Sequence, residues 1–215
     1  MHAIRKILFM LAPIALAGTA SATIMTVTCS TLNGPTELNG NLVCPQFNGL
    51  NLQSIAITIG GGISGSITLT NNASITETGS GTTTSQFMAG PLSGFTIASP
   101  LFAAMFTTGS QSLTAGQTKT FPGLTGTGSG TITDTSVFAP YIGAGNFNIP
   151  ILTSSMLNIL GGGGNFAGSQ TTNANATASV AYTFGTTTTP EVSTPVYLVT
   201  GFGAILIGLL RRRYR

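Results

Sequence analysis

The chain has 215 residues, of which 42% are hydrophobic and only 5% are charged, and its formal net charge is +3. All basic residues except Lys119 lie close to one terminus, so the segment from Thr23 to Thr189 holds one lysine and three acids. Proteins that bind nucleic acids need many Lys and Arg side chains to neutralise phosphates. This composition therefore excludes nucleic acid as a partner.

The chain contains few side chains that could carry out catalysis. The only histidine, His2, lies at the amino terminus, which removes Ser-His-Asp and Cys-His arrangements and the commonest metal ligand from the rest of the chain. Glu37, Glu77 and Asp134 are far apart in sequence and are interpreted as solvated surface groups. A hydrolase would need two of them within about 10 Å in a cleft. We expect no enzymatic activity, no cofactor and no metal site.

The amino terminus has the layout of a secretory signal peptide. Arg5 and Lys6 precede an apolar run over 7–17, and small residues at Ala20 and Ala22 flank a cleavage site. An uncleaved membrane helix is the alternative, which the shortness of the run disfavours. The first 22 residues are thus predicted to be removed on export, leaving a single domain over 23–185.

Cys29 and Cys44 are the only cysteines of this exported chain. An even number of cysteines outside the cytoplasm predicts a disulfide, and free thiols are the alternative. Closing a loop of this length would stabilise the fold by roughly 3 kcal/mol in the chain-entropy model. Two cysteines without histidine cannot complete a structural zinc site.

The domain is rich in Thr, Ser, Gly and Asn, which favour strands and the turns between them. An all-β fold is predicted, either a β-sandwich or a Greek-key barrel. A β-solenoid is the next alternative, but no fixed repeat period is visible.

In chain order, the first half predicts a strand, a loop and a hairpin. The strand covers 24–29, and a polar loop with Asn-Gly turns follows over 31–45. Two alternating segments on either side of Gly60-Gly61-Gly62 predict a hairpin over 54–71, with a further strand near 75–78.

The second half contains two ambiguous segments and two clear strands. The segments 101–106 and 150–160 fit a helix or a buried strand equally well. Alternation predicts a strand over 118–133, whose alternate glycines indicate bulges or a face packed very closely against a neighbour. A glycine turn at 161–164 precedes a closing strand in which Ala176, Ala178, Val180, Tyr182 and Phe184 share one face. The aromatic side chains are expected in the core.

The carboxyl terminus predicts a membrane segment. A linker over 186–194 leads into 195–215, where 15 uncharged residues from Val196 to Leu210 would cover roughly 22 Å as a helix. This is marginal against a hydrocarbon core of about 30 Å. The Arg-rich tail, Arg211, Arg212 and Arg213 included, is expected on the cytoplasmic side. An ordinary permanent anchor is the alternative to a sorting signal.

Pro190 and Glu191, followed by this apolar stretch and the closing arginines, resemble the PEP-CTERM sorting signal of Gram-negative bacteria, with Val192 where the second proline is usual. The resemblance implies an exosortase-like processing enzyme as partner and delivery to the cell surface or extracellular matrix, commonly alongside exopolysaccharide.

The domain itself resembles the choice-of-anchor E domain, a group of exported bacterial β domains. The segments that carry this resemblance are Phe47, 52–59, 65–71, 138–145 and 181–184. It implies a fold and an anchor but no reaction. We therefore expect an exported structural or adhesive protein at the outer surface or in the matrix of a Gram-negative bacterium, held at least transiently by its carboxyl-terminal helix. The alternative is a secreted carbohydrate-binding module, which an exposed strip of aromatic side chains would favour.

Overall fold

The structure is a computed structural model, and it describes residues Ala22–Gly185. This part of the chain forms two antiparallel five-stranded sheets, so the predicted β-sandwich is confirmed. The predicted signal peptide and carboxyl-terminal helix lie outside the described residues. Within 22–185, no helix has the length and apolar character needed to cross a membrane.

Ten strands build the sandwich. Their bounds are β1 Ala22–Thr28, β2 Leu32–Pro35, β3 Asn39–Pro45, β4 Leu52–Asn71, β5 Glu77–Ala89, β6 Phe102–Thr107, β7 Gln111–Leu113, β8 Thr118–Asp134, β9 Asn146–Gly161 and β10 Phe166–Gly185. Sheet 1 has the order β1-β10-β4-β8, with β2 also paired to β10. Sheet 2 has the order β3-β9-β5-β6, with β7 also paired to β5.

The two longest strands, β4 and β10, have 20 residues each and lie side by side in sheet 1. At about 3.3 Å per residue, each spans roughly 65 Å. Alternate residues of both strands point into the core, and the alternation predicted for β10 is confirmed: Ala176, Ala178, Val180 and Tyr182 are all buried. The sandwich is therefore elongated, with a narrow core between two long sheets.

The two ends of the sandwich differ. At one, the terminal end, Ala22 pairs with Gly185, and β4 and β9 begin. At the other, the far end, β4 and β9 end and β5 and β8 begin. Both ends of the described chain thus leave the domain at the terminal end.

The predicted hairpin at Gly60-Gly61-Gly62 is wrong. These glycines lie in the middle of β4, where they pair with β10 on one side and β8 on the other. A Cβ at Gly61 would stand 2.5 Å from Cε1 of Phe87 and 2.9 Å from the carbonyl oxygen of Asn175. Glycine is required here by close packing between the sheets, and not by a turn.

The predicted loop over 31–45 is also wrong, because most of it forms β2 and β3. The Asn-Gly pairs lie inside these strands, and the chain reverses instead around Glu37, whose φ is 80°. The amide groups of Glu37 and Leu38 donate to Oγ1 of Thr153 at 3.1 and 2.8 Å. The Thr153 side chain of β9 thus stabilises this turn, a role that the sequence analysis gave to the Asn-Gly pairs.

Both ambiguous segments are strands. Most of 101–106 forms β6, and 150–160 lies within β9. The strand expected near 75–78 begins only at Glu77, and the predicted strand over 118–133 is β8. The predicted turn at 161–164 is confirmed, with φ positive at Gly161, Gly163 and Gly164.

The sheets are joined differently at their two edges. At the disulfide edge, Cys29 after β1 of sheet 1 is bonded to Cys44 in β3 of sheet 2, with 4.2 Å between their Cα atoms. The predicted disulfide is confirmed. At the glycine edge, β8 of sheet 1 lies against β6 of sheet 2. A Cβ at Gly126 would overlap the carbonyl oxygen of Met105, and one at Gly128 would lie 2.7 Å from that of Ala103. Of the two explanations for the alternate glycines of β8, bulges or close packing, close packing is therefore the correct one at Gly126 and Gly128.

Candidate functional site

The three acids of the domain are far apart. Glu37 lies in the turn between β2 and β3, halfway along the sandwich, whereas Glu77 begins β5 at the far end and Asp134 ends β8 at the terminal end. Counting strand residues between them gives separations of roughly 30 Å or more. Paired-carboxylate hydrolysis requires two acids in one cleft. No two of these three acids share a cleft. The described residues also contain no group of His, Cys, Asp and Glu side chains that could hold a metal ion.

Asp134 is buried, and local hydrogen bonds account for its burial. Its carboxylate accepts from the amide and hydroxyl of Ser136, both at 2.9 Å, and from the amide of Val137 at 3.0 Å. Burial by itself raises the pKa of Asp134, but these hydrogen bonds outweigh it and hold the pKa below its ordinary value. Asp134 fixes the turn that follows β8 and leaves little acceptor capacity for a ligand.

The aromatic side chains belong to the core and its margins, as predicted. Tyr182 donates to the carbonyl of Pro45 at 2.7 Å, and Tyr141 donates to that of Ser93 at 2.6 Å. Burial, with a smaller contribution from Tyr141, raises the pKa of Tyr182 to about 12. None of the Phe and Tyr side chains within 22–185 is exposed. The described surface therefore offers no aromatic platform for stacking sugar rings.

The largest uniform surface is the outward side of sheet 1, which we call the hydroxyl face. Register places Thr, Ser and Asn side chains next to one another on β8, β4 and β10, with no charged residue at the outward positions of these strands. Its residues are Thr58, Ser64, Ser66, Thr68, Thr70, Thr118, Thr120, Thr125, Thr127, Ser129, Thr131, Ser169, Thr171, Asn173, Asn175, Thr177 and Ser179. Neighbouring strands are about 4.8 Å apart, and residues on one face repeat about every 6.6 Å along a strand.

Many of these hydroxyl groups are paired across strands. Thr58 is hydrogen-bonded to Thr131 at 2.9 Å, and Ser66 to Thr171 at 2.8 Å. Two further pairs, Thr68 with Thr120 and Thr70 with Thr118, are 2.9 Å apart. A paired hydroxyl group still has lone pairs free to accept a hydrogen bond. The face is thus ordered by its own hydrogen bonds while it stays able to bind polar groups from solvent.

One open depression interrupts the face where β2, β10 and β4 meet. Its volume is about 350 Å³, and its polar lining comes from Asn33, Ser64, Asn173 and Asn175. Amide side chains supply donors and acceptors without charge. Such a lining suits neutral hydroxyl-bearing ligands better than ionic ones.

The sequence-predicted site residues are only partly within the described chain. Cys29 and Cys44 form the disulfide, which favours an oxidising location outside the cytoplasm. Ala22 is the first residue of β1, whereas its partner in the predicted cleavage site, Ala20, lies outside the described residues. The sorting-signal residues Pro190, Glu191, Arg211, Arg212 and Arg213 lie outside them as well.

Sequence reasoning named no residue of the hydroxyl face as a site residue. The signal was present as Thr and Ser at alternate positions, for example Ser66, Thr68 and Thr70 in β4 and Thr125, Thr127 and Ser129 in β8. What was missing was the knowledge that these strands are neighbours and that their polar sides point the same way.

Comparison with known proteins gives no family for this chain. No protein-family model matches it, and no curated protein matches it. Among solved structures, similarity is found to the infectious bursal disease virus Gx strain, at 14% identity over 85% of this chain and with a TM-score of 0.15. The Gt strain of the same virus gives 12% identity over 88% of this chain and a TM-score of 0.16. The chain matches 46% of the length of each of these viral proteins. TM-scores this low carry no argument about function.

Proposed function

We propose that the protein is an exported structural or adhesive component of the cell surface or extracellular matrix, without enzymatic activity, and that it contacts neutral exopolysaccharide through the hydroxyl face. The observation that carries this proposal is the uncharged array of hydroxyl and amide groups on sheet 1. A polysaccharide chain presents hydroxyl groups at similar intervals, so it can exchange hydrogen bonds with the array along its length. Each bond contributes only about 1 kcal/mol, and strong attachment therefore needs a long polymer.

In this proposal, a PEP-CTERM-like signal delivers the domain. Pro190 and Glu191 mark the region that an exosortase-like enzyme processes, and the following helix with its arginines holds the chain in the membrane until then. The disulfide supports export because such bonds persist outside the reducing cytoplasm. Mass spectrometry of the protein from its native cells tests this step. A carboxyl terminus near Pro190 supports processing, whereas an intact Arg215 shows a permanent anchor.

The polysaccharide contact is tested by retention of the purified protein on a neutral glucan and on an acidic polysaccharide such as alginate. Asn175→Arg places a bulky cation in the depression of the hydroxyl face. We expect it to weaken retention on the neutral polymer about fivefold or more, the equivalent of one or two lost hydrogen bonds. Asn158→Arg is the matched control, because Asn158 is an exposed strand asparagine on the outward side of sheet 2. Equal retention of both variants would contradict the proposal.

A carbohydrate-binding module with a defined oligosaccharide site is the alternative. It predicts saturable binding of short oligosaccharides, whereas the array predicts affinity that rises with polymer length because contacts add along the chain. Isothermal titration with a length series of one glucan separates the two.

A further inference from the structure

The terminal end of the sandwich is where the domain continues into its predicted membrane segment. Gly185 ends β10, pairs with Ala22 and donates its amide hydrogen to the carbonyl of Asn51 at 3.0 Å. Ten residues, 186–195, separate Gly185 from the apolar stretch that begins at Val196. As a flexible chain they span about 17 Å on average, and fully extended at most roughly 35 Å. An anchor in 196–210 would therefore keep the terminal end close to the bilayer.

Aliphatic side chains are exposed at this same end. Leu50, in the connection between β3 and β4, is 83% exposed, and Ile24 at the start of β1 is 67% exposed. Val137 and Ile142, both in the connection between β8 and β9, are exposed as well. Single exposed aliphatic residues are common on soluble proteins, but these four lie at the end from which the chain leaves.

The loop that contains Leu50 packs on a buried aromatic ring. The ring of Phe47 is buried beneath Gly49, where a Cβ would meet it at 2.5 Å, and lies 5.1 Å from the ring of Phe184 between centroids. Phe47 also forms a bridge with Ile142 through backbone hydrogen bonds. Leu50 and Ile142 are thus held outward on one aromatic support.

Charge distinguishes the two ends. The only charged residue described at the terminal end is Asp134, which is buried and hydrogen-bonded by Ser136 and Val137. The far end also exposes aliphatic residues, Ile75 and Leu160, but there Glu77 is the first residue of β5 and Lys119 the second residue of β8. Moving a charge out of water is costly. Of the two ends, the terminal end is the one where no charged side chain of the described residues is exposed, so it approaches the apolar part of a bilayer at the lower cost.

We propose that the terminal end rests on the lipid surface, with Leu50, Ile24 and Ile142 inserted at the level of the headgroups. This inference rests on the membrane anchor of the proposed function. Tethering converts a weak contact into an intramolecular one at millimolar effective concentration, so a few aliphatic side chains suffice. The amino group that removal of the first 22 residues would leave at Thr23 lies at this end and can bind the phosphate of a zwitterionic headgroup, so the contact needs no anionic lipid. The long strands then project away from the membrane, and the hydroxyl face extends into the matrix.

The test uses the chain without its first 22 residues, which are predicted to be removed on export, reconstituted in phosphatidylcholine vesicles that contain a lipid-borne fluorescence quencher. Leu50→Cys receives an environment-sensitive fluorophore, and the native cysteines do not compete because they are disulfide-bonded. Ile75→Cys is the matched control at the far end, and Tyr197→Cys reports on the anchor itself. We expect quenching and a blue shift at positions 50 and 197 and neither at position 75.

Quenching at position 197 without quenching at position 50 would refute the lipid contact of the terminal end. It would still support a membrane anchor in 196–210. If position 197 is not quenched, the predicted membrane anchor is refuted. The result at position 50 then supports or refutes the lipid contact of the terminal end independently of the anchor. Equal quenching at positions 50 and 75 would also overturn the proposal, because the fluorophore itself would then be driving insertion.

Discussion

The two edges of the sandwich achieve the same closure by opposite means. The disulfide edge joins the sheets with a covalent bond between Cys29 and Cys44, and nearby Tyr182 of sheet 1 donates to Pro45 of sheet 2. The glycine edge joins them by omitting side chains, so that the backbone of β8 lies directly on that of β6. A cross-link tolerates small displacements of its surroundings, whereas a contact between backbones tolerates no added atom. The glycine edge should therefore be the more sensitive of the two.

The largest effect is expected from Gly126→Ala. The new methyl group would overlap the carbonyl oxygen of Met105, and neither backbone can move without disturbing its sheet. We expect a loss of about 3 kcal/mol or more in the free energy of unfolding, at the upper end of overpacking effects. Urea denaturation measures it. Gly60→Ala is the control, since its Cβ points outward and meets only Oγ1 of Thr177 at 3.4 Å. A loss at Gly126 no larger than that at Gly60 would refute the close contact.

Removing the disulfide should have the next largest effect. Cys29→Ser combined with Cys44→Ser frees a loop of 15 residues, and the chain-entropy model gives a loss of about 3 kcal/mol. Thermal unfolding with and without reductant checks this, because the wild type under reduction should approach the double variant. If the loss exceeds that of Gly126→Ala, the ranking of the two edges is reversed.

Asp134→Asn tests the end of the glycine edge, where the carboxylate holds the turn after β8. Losing charge-assisted hydrogen bonds should cost roughly 2 kcal/mol at neutral pH. Because the pKa of Asp134 is lowered in the fold, its contribution is present above the unfolded carboxyl pKa of about 4 and is lost as the pH falls through the folded value. The variant should show a flatter pH dependence below about pH 4 than the wild type. Glu37→Gln is the matched acid-to-amide substitution at an exposed position.

Tyr182→Phe should have the smallest effect and tests the hydrogen bond at the disulfide edge. Its loss leaves the carbonyl of Pro45 without this donor and should cost about 1 kcal/mol. The folded pKa of about 12 lies above the unfolded value of 10.0. The contribution of Tyr182 is thus complete below pH 10 and lost as the pH rises through 12. Denaturation at neutral and alkaline pH should show the difference between wild type and variant shrinking as the pH rises.

The sequence predicts those features of the fold that depend on residues close together in the chain, and it fails for those that depend on residues far apart. The disulfide followed from cysteine number and compartment, and β10 from its alternation, because both signals are contained in a few residues. For the alternate glycines of β8 the sequence left bulges and close packing open, and the structure shows close packing at Gly126 and Gly128. Gly61 was misassigned to a turn because a glycine required by Phe87 on another sheet looks, in sequence, like a glycine required by a positive φ.

The candidate site shows the same limit. Alternating Thr and Ser in β4, β8 and β10 are visible in the sequence, but a hydroxyl face exists only when these strands are neighbours in register. Strand order depends on pairings between residues far apart in the chain, such as Thr58 with Thr131 on one side and Ser179 on the other.

The sequence by itself determined the all-β class, the disulfide and the near absence of charge between the predicted terminal signals, since composition and local pattern are sufficient for each. Only the tertiary structure decided that β4 is one unbroken strand, that the acids are separated, and that polar side chains of three strands form one surface. These features depend on strand pairing and on packing between sheets, which bring together residues that no local pattern connects.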